Sequence, residues 1–172
     1  MTNLRHLQDI CPSPVDPVAP LHDWGQVESE LGFRLPRDYK ELVDKYGPGS
    51  YARFIHVFQP ESSFPAVDIR VAPSKILETL RFVEAQGFPI PGALDSLFPV
   101  GVTDNGNYIF WRMDPRDLPE AWEMVVNEPR GDRWDFFKGD LTSFLGAVLS
   151  GAHRVPMFPG DLLEGQVGFE TY

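Results

Sequence analysis

Several features that would direct a functional assignment are missing from this 172-residue sequence. Cys11 is its only cysteine, so no intramolecular disulfide can form, which is typical of proteins in a reducing cytoplasm. No stretch approaches the ~20 apolar residues of a membrane-spanning helix, and no basic segment followed by an apolar run opens the chain. We therefore expect a cytoplasmic protein without a signal peptide or a membrane span.

Positive charge is also scarce. The chain has 15 Lys and Arg against 25 Asp and Glu, giving a formal net charge of -10. Surfaces that bind nucleic acids or anionic membranes need Lys and Arg, so this balance argues against both classes of partner. Two interpretations of the acidity stay open, because net charge of this sign either attracts a basic protein or only keeps the protein soluble.

Sequence patterns of nucleotide binding and covalent catalysis are absent. The chain contains no P-loop, no dinucleotide-binding glycine fingerprint after a strand and no Gly-x-Ser-x-Gly. A reactive thiol needs electropositive surroundings, whereas Cys11 lies in a proline-rich stretch with Asp9 and Asp16 nearby. We expect an incidental thiol there and no catalytic residue.

Patterns for metal ions and for paired carboxylates are equally weak. The four histidines are far apart and show no i,i+4 spacing: His6, His22, His56 and His153. Residues 104–107 resemble part of a calcium loop but lack its alternating ligands and distant Glu, so a hairpin turn is the better interpretation. Glu28 with Glu30, or Asp132 with Asp135, would serve glycoside hydrolysis only inside a cleft, and solvated carboxylates are far commoner. We predict no metal and no cofactor.

What the chain does contain is enough apolar material for one folded domain. Hydrophobic residues make up 42% of it, with thirteen Phe and four Trp, which supports a well-packed core. Apolar residues at helical spacing predict four helices, over residues 23–31, 36–46, 74–86 and 140–149. Asp23, Ser74 and Asp140 are the expected N-terminal caps of three of them.

Aromatic and β-branched residues predict the strands. We expect a strand over 51–58 and a second extended segment over 66–71. Two hairpins follow, the first pairing 98–102 with 107–113 and the second pairing 122–127 with 133–137. His56 is expected to be a hydrogen-bonded histidine of the sheet. Core packing is the default for three tryptophans on these strands, and an exposed one would anchor an interface: Trp111, Trp122 and Trp134.

The order of these elements predicts a single α+β domain, an antiparallel sheet with helices packed on one face. Four prolines in residues 1–21 predict an irregular N-terminal arm: Pro12, Pro14, Pro17 and Pro20. Residues 22–151 form the expected domain. The Pro/Gly-rich stretch 152–172 is expected to pack along it as a tail.

Three groups of residues resemble, in the same order, the SUKH superfamily, which includes yeast cell-wall-assembly regulators and many bacterial toxin-immunity proteins. The first group comprises Trp24, Gly32, Leu35-Pro36, Tyr39 and Gly47-Pro48-Gly49. The second is Phe98-Pro99-Val100-Gly101, Asp104-Asn105-Gly106-Asn107 and Tyr108-Ile109-Phe110-Trp111, and the third is Leu141-Thr142-Ser143-Phe144-Leu145. One departure is the turn at 47–49, where many relatives carry Asn-Gly-Gly. The resemblance covers residues 22–151.

The resemblance implies a non-enzymatic protein that binds another protein. Its first implication is an immunity protein whose acidic, aromatic-bearing surface covers a basic toxin domain, such as the active site of a nuclease. The alternative is a regulatory scaffold that binds a host signalling or cell-wall protein. A hydrolase comes third, for lack of a site. We expect the protein to be a monomer or a weak homo-oligomer.

The carboxylates of the loops and hairpins are the expected contacts with a basic partner. Residues of turns are exposed and can be aimed at a partner without disturbing the core. The alternative is that each of these carboxylates is a solvated turn residue that contacts no partner. The group expected to bind the partner comprises Asp104, Glu128, Asp132 and Asp135.

Overall fold

The computed structural model describes residues 3–16 and 21–172, so Pro17 and Pro20 of the predicted arm lie outside the described residues. This part of the chain contains five α-helices and seven strands. The helices are α1 (Asn3–Ile10), α2 (Trp24–Leu31), α3 (Arg37–Tyr46), α4 (Ala72–Ala85) and α5 (Leu141–Ser150). The strands are β1 (Gly49–Tyr51), β2 (Ile55–Val57), β3 (Leu97–Thr103), β4 (Tyr108–Arg112), β5 (Glu123–Asn127), β6 (Trp134–Phe137) and β7 (Phe169–Thr171).

The seven strands form one sheet in the order β6-β5-β4-β3-β2-β1-β7. Every neighbouring pair in it is antiparallel. The α+β class with an antiparallel sheet is therefore confirmed. Both predicted hairpins are present, as β3–β4 and β5–β6.

The two faces of the sheet are covered unequally. Trp111 of β4 packs against Tyr39 of α3, with ring centroids 5.1 Å apart, and this face carries α1, α2, α3 and α5. Side chains alternate along a strand, so Tyr108 and Phe110 point to the opposite face. That face is covered by α4, whose Ile76 lies beside Tyr108. The helix α4 is thus an exception to the expectation that the helices share one face.

Most of the helix caps in the structure are the ones predicted from the sequence. Asp23 caps α2 by accepting from Gln26 N at 3.1 Å, and Asp140 caps α5 by accepting from Ser143 N at 2.7 Å. The prediction that Ser74 caps the third helix is wrong. That helix begins at Ala72, because Pro73 fits its first turn, and the hydroxyl of Ser74 donates to the carbonyl of Val71.

Two of the strand predictions are also wrong. The segment 51–58 is not one strand, because Ala52 and Arg53 have positive φ angles of 51° and 53° and reverse the chain into the β1–β2 hairpin. The segment 66–71 is not an extended strand, since Pro65–Val67 is a short 3-10 turn, Asp68 alone forms an isolated bridge with Gln59, and a turn over 69–71 leads into α4. Periodicity over so few residues does not reveal such reversals.

The two ends of the chain both join the domain. Residues 3–10 form α1 rather than an irregular arm, because the prolines begin only at Pro12, after the helix has ended. This helix packs on α5 and buries Leu7. Near the other end, β7 pairs with β1, and Val155 and Phe158 are buried.

Candidate partner-binding surfaces

Three turns lie together at one end of the sheet. Because neighbouring strands are antiparallel, the β1–β2, β3–β4 and β5–β6 turns must emerge at the same end. The amide N–H of Asp104 donates to the carbonyl of Phe54 at 3.0 Å, and the side-chain amide of Asn107 donates to the carbonyl of Asn127 at 2.9 Å. These bonds tie the turns to one another. We call residues 52–54, 104–106 and 128–132 the turn end.

The structure brings three of the four predicted carboxylates together and separates the fourth. Asp104, Glu128 and Asp132 lie at the turn end. Asp135 is in β6 instead, on the face that carries α5, and its side chain is only 16% exposed. Its Oδ2 lies 2.7 Å from Nε2 of His153.

Nitrogen donors of Arg and His side chains lie against most of these carboxylates. Glu128 accepts from Nη2 and Nε of Arg133 at 2.7 and 3.0 Å, and these hydrogen bonds lower the pKa of Glu128. Asp104 Oδ1 lies 2.7 Å from Nε2 of His56. Among the residues that the structure describes, Asp132 alone of the four has no Arg or His side chain against it. The turn end is therefore a mixed surface rather than a strongly negative one.

His56 joins three parts of the fold. Its Nε2 meets Asp104, and its Nδ1 meets the hydroxyl of Tyr172. Burial, helped by the charge of Asp104, raises the pKa of Tyr172 to about 12, so the hydroxyl keeps its proton at neutral pH. The hydroxyl can therefore donate to Nδ1 of His56, while Nε2 of His56 donates to Asp104. The prediction of a hydrogen-bonded sheet histidine is confirmed.

The face of the sheet that carries α4 displays large apolar side chains to solvent. Phe82 of α4 is 67% exposed, Phe88 just beyond the helix is 52% exposed, and Phe136 of β6 is 48% exposed. Trp134 alternates with Asp135 and therefore faces the same side as Phe136. We call these exposed or partly exposed aromatic residues of α4, the loop after it and β6 the α4 surface: Phe82, Phe88, Trp134 and Phe136.

Two apolar grooves flank α4. The first has a volume of about 260 Å³ and is rimmed at one end by Glu128 and Arg130. Its walls and floor are apolar and include Ile76, Leu80, Val83, Phe88, Ile90, Tyr108 and Trp134. The second, of about 570 Å³, runs between α4 and the Pro65–Val67 turn and shares Ile76 and Tyr108 with the first. Together they provide an apolar floor with a charged rim.

Comparison with protein families now identifies the chain's relatives. A family model described as SMI1-KNR4 cell-wall, of the SUKH superfamily, matches residues 22–145, more than half of the chain. The protein belongs to the SUKH family. Neither the curated proteins nor the solved structures give a match.

The α4 surface of this SUKH protein escaped the sequence analysis. Phe82 lies off the helical stripe formed by Ile76, Leu80 and Val83, and an aromatic residue outside the apolar stripe of a helix is a signal that the sequence does contain. Of the three tryptophans on strands, Trp111 and Trp122 are buried, as the default predicted. Trp134 is only partly buried and lines the first groove.

The remaining candidate sites of this SUKH protein carry little chemistry. Cys11 is buried, and its burial raises the pKa of the thiol to about 11, so it is protonated at neutral pH. Among residues 3–16 and 21–172, no three His, Cys, Asp or Glu side chains are placed to hold a metal ion. No helix in the same part of the chain is long and apolar enough to cross a membrane.

Proposed function

We propose that this SUKH protein is a non-enzymatic binding module that acts as an immunity protein, blocking a basic toxin domain. The observation that carries the proposal is the α4 surface. Large apolar patches on a soluble monomer mark interaction sites, and exposed aromatic residues beside a groove are the usual anchors of an interface. Family membership supports binding to a protein rather than chemistry on a small molecule.

The arrangement around the α4 surface supports a protein partner in particular. Phe88 and Trp134 line a largely apolar groove together with Glu128 and Arg130, and Phe82 and Phe136 are exposed on α4 and β6, which both contribute residues to that groove. An apolar centre surrounded by polar groups is the usual layout of a protein–protein interface, because the rim keeps water away from the buried contacts.

The charge of the chain supports a basic partner. A net charge of -10 speeds the approach of a protein rich in Lys and Arg, such as a nuclease domain that binds phosphates. Three of the four candidate carboxylates already pair with Arg133, His56 or His153. We therefore propose that the acidic charge speeds the encounter with the partner, and that the α4 surface provides most of the binding affinity.

The test begins with the genes beside this protein's own: we expect one of them to encode a basic toxin domain, which is then expressed with and without the protein. We expect the two to co-purify and the protein to restore growth of cells that make the toxin domain. Phe82→Ser should weaken both effects, whereas Leu118→Ser, which changes an exposed leucine at the opposite end of the sheet, should not. Failure of the wild-type protein to bind the domain or to restore growth would refute the immunity role. Binding to a host cell-wall protein instead would favour a scaffold.

A further inference from the structure

The strand β6 leaves one edge of the sheet open. It is the first strand in the sheet order, and β5 is its one neighbour in that order. The amide N–H of Glu128 donates to the carbonyl of Arg133 at 2.9 Å, which fixes the phase of the β5–β6 ladder. In an antiparallel ladder, every second residue bonds to its partner strand, so Asp135 and Phe137 bond to β5 as well.

The residues between them point the other way. The backbone N–H and C=O groups of Trp134 and Phe136 are directed outward, away from β5. Among the described residues, no backbone or side-chain group bonds to them. Outward-pointing groups of this kind are a template for a further strand.

The opposite edge of the sheet is protected where β6 is not. On β7, Glu170 is exposed and paired with Arg53 at 3.1 Å, which places charge along that edge. Within β6 there is no Lys or Pro, the residues that most often block edge pairing. Its single charged residue, Asp135, is turned inward to His153, which leaves two aromatic side chains along the edge.

We propose that the open edge of β6 pairs with an extended segment of the toxin domain, which extends the sheet by one strand. This inference rests on the proposed function and names the mode of contact. The outward N–H and C=O groups of Trp134 and Phe136 match the backbone spacing of a strand. Alternate side chains of that strand then lie beside Trp134 and Phe136, on the α4 surface, so apolar residues are required there.

Charge selects the toxin segment over a second copy of this chain. Two copies, each with a net charge of -10, repel one another, whereas a strand from a basic domain is attracted. The occupant is therefore an extended, basic segment with apolar residues at alternate positions.

A proline at position 136 distinguishes backbone pairing at the edge of the sheet from contacts made by the side chain. Phe136→Pro removes an outward N–H that makes no bond within the described fold, so the β5–β6 ladder stays intact. Phe136→Ala removes the same side chain but keeps the donor. A difference between the two variants therefore reports the backbone hydrogen bond.

The first test uses a blocked peptide of alternating lysine and valine as the probe and the full-length protein. We expect the peptide to slow hydrogen exchange at the amides of Trp134 and Phe136. Phe136→Pro should bind it roughly tenfold more weakly than Phe136→Ala. No added protection at these amides, or equal binding by the two variants, would overturn the proposal. The exchange measurement needs no variant, so it decides even if Phe136→Pro fails to fold.

The second test uses the toxin domain and separates the two proposals. A domain that binds wild type and both variants equally would overturn edge pairing and leave the immunity role intact. A domain that does not bind at all, together with clear peptide protection, would refute the immunity role and leave the open edge as a strand-binding site.

Discussion

Both faces of the sheet carry aromatic side chains, but these side chains are buried on one face and exposed on the other. On the face with four helices, Tyr39, Trp111 and Phe144 are at most 1% exposed, and their rings pack edge to face against neighbouring aromatic rings. On the other face, a single helix leaves Phe82, Phe88 and Phe136 about half exposed or more. Burial of an aromatic ring stabilises the fold, whereas an exposed ring beside a groove is available to a partner. We propose from this difference that the face with α4 is the one that binds the partner.

The largest expected effect is on the face with four helices. Leu145→Ala in the fully buried part of α5 should lower the free energy of unfolding by ~2–5 kcal/mol, because it leaves a cavity in a packed core. Leu118→Ala, at a leucine that is more than half exposed, should change it by less than about 0.5 kcal/mol. Urea unfolding of both variants measures this, and a loss well under 1 kcal/mol for Leu145→Ala would contradict the assignment of this face.

On the same face, the carboxyl group of Asp38 titrates where α3 meets α5. Asp38 accepts from the N–H and the hydroxyl of Thr142 at 3.0 and 3.1 Å, and burial, with the charge of Asp140 adding to it, raises the pKa of Asp38 to about 6. The folded state then holds this proton more tightly than the unfolded state. The free energy of unfolding should therefore fall as the pH rises from about 4 to about 6, by up to about 3 kcal/mol.

Asp38→Asn removes that titration. Unfolding curves from pH 4 to pH 7 should show the variant gaining stability relative to wild type as the pH rises. Asp132→Asn, at an exposed carboxylate of the turn end, is the matched control for the loss of one carboxyl group. A difference for Asp38→Asn that does not change with pH would show that Asp38 is charged without penalty in the folded state.

A smaller effect is expected at Cys11, beside α1. Cys11→Ser places a hydroxyl where a buried thiol was, and should lower the free energy of unfolding by ~1–2 kcal/mol. Binding and growth protection should be unchanged, since a buried thiol with a pKa of about 11 does no chemistry at neutral pH. Loss of protection in a folded Cys11→Ser protein would contradict this.

The smallest effect is expected from the carboxylates first chosen as partner contacts. Neutralising Asp104, Glu128, Asp132 and Asp135 to Asn or Gln should slow association with the toxin domain by roughly two- to fivefold. Salt should slow it too, because exposed charges are screened over ~10 Å at 0.1 M. A salt-independent rate, equal in the quadruple variant, would mean that the acidity serves solubility.

The elements of the fold could largely be predicted from the sequence, because their signals are local. Asp23 and Asp140 are capping residues followed by apolar helical stripes, and Asp104-Asn105-Gly106 is a turn between two aromatic strands. The reversal at Ala52 and Arg53 could not be predicted, since neither residue favours positive φ. The helix α1 was not predicted, because the prolines that follow it dominate the composition of residues 1–20.

The candidate site was less predictable, because it depends on which residues meet across the fold. Sequence placed Asp135 in a group with Asp132, but alternation along β6 turns Asp135 inward to His153. The pairing of Glu128 with Arg133 depends on the geometry of one turn. The α4 surface combines residues of a helix, a loop and an edge strand, which only the tertiary fold brings to one side of the sheet.

The most direct test of the binding face compares two pairs of exposed apolar residues by calorimetric titration with the toxin domain. Phe82→Ala with Phe88→Ala alters the α4 surface, and Leu118→Ala with Leu163→Ala alters exposed leucines elsewhere. Thermal unfolding should show that both double variants remain folded. We predict that the first weakens binding by about 30-fold or more, ~2 kcal/mol, and that the second leaves it within about threefold of wild type. Equal affinity for the two double variants, or a larger loss in the second, would contradict the assignment of binding to the α4 surface.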